Sequence, residues 1–204
     1  MLYEIHPENP DRRKISTIVD ILEKGGIIIY PTDTVYSLAC SLKNKRAIER
    51  LAKLKNIKLK KANFSIVFHD LSHLSDYTKH IDRPTYKILN KNLPGPFTFI
   101  LQASSQIPKL FDSNKKTIGI RIPDNNIARS LAEELGHPLV TTSIHDEDEI
   151  LEYSTDPYQI QGDWEDKVDA IIDGGYGHNV PSTVVDLSNG EVDIIREGIG
   201  ELDY

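Results

Sequence analysis

Short strand-like runs alternate irregularly with helix-periodic segments, and this order restricts the fold more than any other feature of the chain. The first helical segment, 15–22, stops at Gly25 and Gly26, and the β-branched run 27–30 that follows ends at Pro31. Further helices are predicted at 45–55, 71–77, 84–92 and 127–135, and further strands at 65–68, 97–101, 117–122, 139–142, 168–172, 183–187 and 192–195. The pattern predicts an α+β fold, a layered sheet with helices on its faces, and not a repeating βαβ barrel.

A chain of 204 residues with 39% hydrophobic residues fits one domain over 1–204. The acidic, weakly periodic stretch 146–166 is predicted to be a loop-rich insertion. Cys40 is the only cysteine, which excludes disulfides and cysteine-based zinc sites within one chain. No apolar run approaches the roughly 20 residues that cross a bilayer, and the N-terminus lacks signal-peptide features. We therefore expect a cytoplasmic protein without a membrane partner.

Charge is unevenly distributed along the chain. The net charge of −7 argues against a protein that coats nucleic acid by bulk positive charge. The stretch 43–61 nevertheless carries nine lysines and arginines, opposed only by Glu49, whereas 146–149 is wholly acidic. Two interpretations stay open for the basic stretch: a phosphate-binding surface, or an ordinary solvated surface.

Familiar catalytic and metal-binding motifs are absent from the sequence. It contains no G-x-x-x-x-G-K-[ST] loop, G-x-G-x-x-G fingerprint, G-x-S-x-G elbow or H-E-x-x-H pair. His69 and His73 are spaced i, i+4, which on a helix would place two imidazoles on one face. No third ligand is evident nearby, so surface or capping histidines are the better interpretation. The sequence predicts no metal-ligand set.

Two segments point to a small-ligand site. After the strand 27–30, Pro31 is followed by Thr32, Asp33 and Thr34, a turn able to bind the polar end of a ligand. Its alternative interpretation is a turn into a helix capped by Asp33 or Thr34. Arg121 lies inside an apolar strand, where an unpaired desolvated charge costs several kcal/mol. Its fork suits a carboxylate or phosphate, and an internal salt bridge explains it equally well.

Six motifs, taken together and in this order, resemble the YrdC/YciO-like family of threonylcarbamoyl-AMP synthases. They are YPTDTVYSLAC (30–40), LPGPFTFIL (93–101), TIGIRIPDN (117–125), PLVTTS (138–143), STVVDL (182–187) and REG (196–198). The resemblance covers nearly the whole chain and implies a twisted mixed sheet with a large concave surface. It leaves no room for the extra C-terminal domain of longer members.

The resemblance also implies a reaction and its participants. L-Threonine, bicarbonate and ATP would give threonylcarbamoyl-AMP and pyrophosphate, usually with Mg²⁺, for the threonylcarbamoyl-adenosine modification of tRNA. The residues matching L-threonine-binding positions are Thr32, Thr117, Arg121, Thr141 and Ser182. The residues matching nucleotide-binding positions are Lys55, Ser143 and Arg196. Lys55 and Arg121 are the expected catalytic residues, acting by positioning and charge stabilisation.

Departures from the family pattern resemble the YciO-like branch. Ile57 stands where synthases carry the arginine of K-x-R, and His145 stands where they carry the asparagine of S-x-N. Ser37 replaces a glycine, and 63–65 replaces a proline-led sequence. Two functions therefore remain open: a synthase, or a nucleotide- and double-stranded-RNA-binding relative with weak or no synthase activity. The strip Lys58, Lys60 and Lys61 is the predicted RNA contact.

Overall fold

The computed structural model describes residues 1–111, 116–144 and 155–204, and within these ranges ten strands form one mixed sheet. The strands are β1 (Leu2–Glu4), β2 (Ile28–Tyr30), β3 (Ser37–Ser41), β4 (Ser65–Val67), β5 (Phe97–Gln102), β6 (Thr117–Arg121), β7 (Leu139–Ser143), β8 (Ala170–Asp173), β9 (Thr183–Asp186) and β10 (Asp193–Arg196). Their order across the sheet is β1-β8-β2-β3-β7-β4-β6-β5-β9-β10. Strands distant in sequence are therefore neighbours at the centre of the molecule.

Side chains cap the N-termini of five of the six helices in the described residues. The helices of the described residues are α1 (Arg12–Glu23), α2 (Lys45–Leu54), α3 (Arg83–Asn92), α4 (Gln106–Leu110), α5 (Asn126–Leu135) and α6 (Pro157–Trp164). Asn44 caps α2 by accepting from the Ala47 amide at 3.0 Å, and Asn125 caps α5 in the same way. Gly136 ends α5 with φ of 68°, a left-handed conformation that glycine adopts without a Cβ penalty.

Alternation along each strand gives the sheet two faces. In β4, Ile66 points to what we call the back face, whereas Ser65 and Val67 point to the front face. Helices α2, α3, α4 and α6 contribute to the back core. Helices α1 and α5 cover the front of β8, β2 and β3 together with Val67 and Leu139. Farther along, the front face of the remaining strands lines the cavities described below.

Most predicted elements are confirmed with shifted ends, but two segments were assigned to the wrong type of structure. Residues 71–77 form only a 3₁₀ turn at Leu74–Asp76, because Leu74 is the only buried residue of the segment and no continuous apolar face is available to stabilise a helix. In the predicted loop 146–166, residues Pro157–Trp164 form α6, capped by Asp156 and anchored by buried Ile160. Residues 145–154 lie outside the described ranges.

Three elements were not predicted at all: β1, β3 and α4. The turn after Pro31 leads into β3 and not into a helix, so the capping interpretation of Asp33 and Thr34 is wrong. Over the three described ranges, every helix is too short or too polar to span a bilayer.

Candidate functional site

Strand register gathers polar side chains on the front face. Ser37 of β3 pairs with Ser143 of β7, and Thr141 of β7 pairs with Ser65 of β4. Ser65 in turn lies opposite Gly119 of β6. Because paired residues share a face, hydroxyl groups from three strands point to the same side of the sheet.

Two adjoining cavities open on this face. The inner cavity is lined by Val35, Ser37, Asn63, Ser65, Thr98, Arg121, Thr141, Thr142, Ser143, Pro181, Ser182 and Arg196. The outer cavity, of about 610 Å³, is lined by Asn63, Phe64, Ser65, Thr98, Ile100, Thr117, Ile118, Gly119, Val184, Ile195 and Arg196. The inner cavity is mostly hydroxyl-lined, whereas five of the outer lining residues are apolar and larger than glycine. Of the described residues, Asn63, Ser65, Thr98 and Arg196 line both cavities.

Arg121 supplies a buried positive charge to the inner cavity. Its Nη2 donates to Asp33 Oδ1 at 3.1 Å and to Thr34 Oγ1 at 3.0 Å. Its Nε is buried without a hydrogen-bond partner among the described residues. Arg121 is therefore both a member of an internal ion pair and a lining residue of the cavity.

The turn after Pro31 supplies the hydrogen-bond partners of this guanidinium. Asp33 also accepts from the backbone amide of Asp124 at 2.9 Å through Oδ2, which ties the turn to the end of β6. Thr32 Oγ1 donates to the Val35 carbonyl at 2.8 Å and accepts from the Thr34 amide at 3.0 Å. Thr32 lies behind the cavity walls and not among their lining residues, so its contribution to a ligand would pass through Thr34 and Arg121.

Two buried tyrosines neighbour residues of the inner cavity: Tyr30 contacts the lining residue Thr141, and Tyr36 precedes the lining residue Ser37 in the chain. Tyr30 and Thr141 hydroxyls lie 3.0 Å apart, and Thr141 Oγ1 donates to the Leu38 carbonyl at 3.0 Å. Burial raises the pKa of Tyr30, so its hydroxyl stays protonated. Tyr36 donates to the Gly175 carbonyl at 2.7 Å, and burial raises its pKa as well. Both phenols act here as neutral hydrogen-bonding groups.

The opposite wall combines Thr98, Ser182 and Arg196. The Thr98 and Ser182 hydroxyls lie 2.8 Å apart. Arg196 Nη2 donates to the Ser182 carbonyl at 2.9 Å and to its hydroxyl at 3.4 Å, and Nε donates to the same carbonyl at 3.3 Å. A second guanidinium therefore lines the inner cavity together with that of Arg121.

Four lysines follow α2 in the chain, and Lys55 lies next to the end of β7. Lys55 follows α2, and its Nζ donates to the Ile144 carbonyl at 3.4 Å, one residue beyond Ser143. Ile57 is 38% exposed. The predicted RNA strip, Lys58, Lys60 and Lys61, is exposed around the 3₁₀ turn Leu59–Lys61. His145 lies outside the described residues.

The predicted site residues thus fall into three groups. Arg121, Thr141, Ser143, Ser182 and Arg196 line the inner cavity, and Thr117 lines the outer one. Thr32 and Lys55 lie next to these walls without lining them. Sequence reasoning missed Asp33 as the partner of Arg121, and it missed Asn63, Ser65 and Thr98. Alternation along β4 and β5 puts Ser65 and Thr98 on one face of each strand, but only the register shows that the two faces coincide.

The histidine pair lies elsewhere. His69 Nε2 is 2.9 Å from Asp70 Oδ2, and His73 Nδ1 is 3.5 Å from Asp76 Oδ2. Because 69–73 is not helical, the two imidazoles are not stacked on a helix face. Within the part of the chain that the structure describes, no group of three or more His, Cys, Asp or Glu residues is placed to hold a metal ion.

Comparisons with known proteins agree with this architecture. The Sua5/YciO/YrdC family model, described as telomere recombination, matches residues 20–198. The YciO protein of Escherichia coli is 40% identical over 202 residues, which are 98% of this chain and 96% of that protein. The crystal structure of E. coli YciO superposes with a TM-score of 0.89 at 39% identity, covering 98% of this chain and 97% of that one. The P. abyssi Sua5 structure complexed with L-threonine gives a TM-score of 0.87 at 24% identity, covering 99% and 62%, which shows a shared fold. The chain belongs to the Sua5/YciO/YrdC family.

Proposed function

We propose that the chain is an L-threonylcarbamoyladenylate synthase that serves the threonylcarbamoyl-adenosine modification of tRNA in the cytoplasm. The amino nitrogen of L-threonine would bond to the carbon of bicarbonate with loss of water, giving a carbamate. A carbamate oxygen would then attack the α-phosphorus of ATP. The bond from that phosphorus to the oxygen bridging it to the β-phosphorus breaks, and pyrophosphate leaves.

One observation carries this proposal: a small polar cavity that ends on a buried guanidinium opens into a larger, partly apolar cavity. An amino acid matches the inner cavity, since its carboxylate suits the guanidinium of Arg121 and its polar groups suit the surrounding hydroxyls. A purine nucleoside matches the outer cavity, since Phe64, Ile100 and Val184 offer apolar walls. The P. abyssi Sua5 that shares the fold was crystallised with L-threonine.

The charges support the same assignment. Arg196 lies where the two cavities meet, and Lys55 stands beside the end of β7, so both could approach the phosphates of a nucleotide in the outer cavity. Catalysis would then consist of orienting two anionic reactants and stabilising the charge that develops on pyrophosphate.

Magnesium enters this proposal with the nucleotide. None of the described residues that line the two cavities is a carboxylate, so the cavities offer Mg²⁺ only neutral oxygen ligands. The donor set does not form a protein magnesium site, and we assign the ion to the phosphates of ATP.

A second candidate is a nucleotide- and double-stranded-RNA-binding protein with weak synthase activity. The exposed Ile57 favours it, because an isoleucine contributes no positive charge next to Lys55. The exposed strip of Lys58, Lys60 and Lys61 favours it as well, because it is accessible to a phosphate backbone.

Incubation with ATP, bicarbonate and labelled L-threonine, followed by detection of the labelled adenylate and of pyrophosphate, separates the two functions. Omission of bicarbonate is the control, because it should abolish the adenylate and leave ATP binding unchanged. ATP and threonine binding without adenylate would contradict the synthase and support the binding protein. Failure to bind either ligand would contradict both.

A further inference from the structure

The point where the two cavities meet identifies the reacting centre. If one reactant occupies each cavity, the bond between them must form near the described residues common to both: Asn63, Ser65, Thr98 and Arg196. Among these four, only Arg196 is charged. Its orientation therefore determines whether a positive charge faces the departing pyrophosphate.

A β-bulge directs Arg196 toward this centre. Thr98 lies opposite Val184 in β9, and Val184 lies opposite Arg196 in β10, so three adjacent strands place these residues in one row. The β9–β10 register shifts between Ile194 and Arg196. Consecutive strand residues normally point to opposite faces, yet Ile195 and Arg196 both line the outer cavity. The bulge accounts for this, since one extra residue re-aims the side chain that follows it.

The hydroxyl of Thr98 completes the arrangement. Arg196 donates three hydrogen bonds to Ser182, two to its carbonyl and one to its hydroxyl. Ser182 has its hydroxyl 2.8 Å from Thr98 Oγ1, in the neighbouring strand. Thr98 thus restrains the Ser182 side chain that shares a hydrogen bond with the guanidinium.

We infer that Thr98 is a positioning residue: its hydroxyl fixes Ser182, and through Ser182 it holds Arg196 at the junction of the two substrate cavities. This inference rests on the proposed function and adds a residue to it. Because Thr98 and Ser182 also line the inner cavity, removing the Thr98 hydroxyl should weaken L-threonine binding, but the step that joins the substrates should slow by a larger factor.

The test compares Thr98→Val, which keeps the shape and removes the hydroxyl, with Thr98→Ser, which keeps the hydroxyl. Thr78→Val is the matched control, because the buried Thr78 donates to the Leu74 carbonyl at 3.0 Å away from both cavities. We expect Thr98→Val to lower kcat about five- to tenfold, the rate equivalent of one hydrogen bond. The Kd for L-threonine should rise by a smaller factor than kcat falls, and the Kd for an ATP analogue with a methylene between the α- and β-phosphates should stay within about twofold. Thr98→Ser and Thr78→Val should retain wild-type kcat.

Equal losses of kcat in Thr98→Ser and Thr98→Val would overturn the inference. An unchanged kcat in Thr98→Val, with or without weaker substrate binding, would also overturn it. If Thr98→Val does not fold, Thr98→Ala provides the same comparison with Thr98→Ser. A wild-type chain that makes no adenylate contradicts the proposed function, and the inference is then decided by binding alone. In that case the methylene analogue should raise L-threonine affinity in the wild type and not in Thr98→Val. An equal rise in L-threonine affinity in both proteins, or no rise in the wild type, would overturn the inference.

Discussion

At the scale of single residues, Arg121 combines two demands that usually conflict. A ligand-binding guanidinium needs unpaired hydrogens, whereas a buried charge needs a partner. Asp33 and Thr34 both bond to Nη2, so the charge has its partner, and Arg121 still lines the inner cavity. The two explanations that the sequence left open for Arg121 are thus compatible in one geometry.

Arg121 should therefore be probed with variants that separate charge from shape. Arg121→Ala should lower the free energy of unfolding by about 3–5 kcal/mol, because it leaves the buried Asp33 carboxylate without its ion-pair partner. Arg121→Ala with Asp33→Asn should recover part of that loss in denaturant titrations. Arg121→Lys keeps the positive charge and loses the fork, so we expect a smaller loss of stability together with weaker L-threonine binding by calorimetry. Unchanged L-threonine affinity in Arg121→Lys and in the double variant would contradict the ligand-binding role.

Gly119 offers a second residue-scale test. A Cβ at this position would lie 2.6 Å from Ser65 Oγ and 3.1 Å from Thr98 Cγ2, at the wall of the outer cavity. Gly119→Ala should weaken ATP binding, since the added methyl group displaces the Ser65 hydroxyl at the wall of the outer cavity. Gly162→Ala is the control: it lies in α6 with no atom within 4 Å of the added Cβ, and it should stabilise the helix without changing ATP affinity. Equal ATP affinity in the two variants would show that the nucleotide binds elsewhere.

At the scale of elements, the sequence predicts which segments are strands better than it predicts which strands are neighbours. Apolar runs bounded by Pro123 and Pro138 locate β6 and β7, and so place Arg121 and Thr141 on strands. Register is set by tertiary pairing, and a shift of one residue reverses every side chain. The convergence of Ser65, Gly119 and Thr98 therefore appears only in the sheet. Similarly, Asp33 looks like a helix cap until β3 replaces the expected helix and Arg121 is found beside it.

Weak local signals account for the missed elements. In β3 all five residues are buried, and its small polar ends, Ser37 and Ser41, show neither alternation nor helical spacing. The sequence contains a helix start signal for α6, Asp156 before Pro157, but the acidic composition of 146–166 favoured the prediction of a loop. The strand β1 has three residues and gains its stability from parallel pairing with β8, far away in sequence.

Ile57, just after α2, is the departure from the family pattern whose replacement has the clearest expected effect. Ile57 follows Asn56, whose φ of 52° lies in the left-handed region and terminates the helix beside Lys55. Ile57→Arg should raise adenylate turnover by up to about a hundredfold, the lower end of what one preorganised charge donor contributes. Ile57→Gln is the control, because it is polar and uncharged and should give little gain. If neither variant gains activity, the lysines nearby already supply the charge, or the site acts on another substrate.

The basic strip after α2 gives a prediction for RNA. Double-stranded RNA binding, measured at several salt concentrations, should weaken with a log–log slope of about −0.7 to −0.9 per phosphate neutralised. Replacing Lys58, Lys60 and Lys61 by glutamine should flatten that slope, because all three are exposed. The matched control replaces three exposed lysines elsewhere in the chain, Lys24, Lys79 and Lys87. A slope that changes equally in both triple variants would mean that the strip is only a solvated surface.

At the scale of the whole molecule, the site joins distant parts of the chain. The inner and outer cavities are lined from seven neighbouring strands or their flanking loops, β3, β7, β4, β6, β5, β9 and β10, which span residues 37–196. The sheet also pairs β1 with β8 and β2 with β8, so the first and last thirds of the chain are connected. A ligand at this site would therefore contact residues from most of the sheet.

Unfolding should therefore be one cooperative transition that ligands shift as a unit. Calorimetric and van't Hoff enthalpies should agree, as expected for one domain. L-Threonine at 100 times its Kd should add about 2.7 kcal/mol to the free energy of unfolding, which for a chain of this size raises Tm by about 5–10 °C. The ATP analogue should do the same, and Arg121→Lys should lose the response to L-threonine while keeping the response to the nucleotide. Two transitions, of which only one responds to ligand, would show that the sheet does not unfold as a single unit. An equal response to L-threonine in Arg121→Lys and in the wild type would place the amino acid outside the inner cavity.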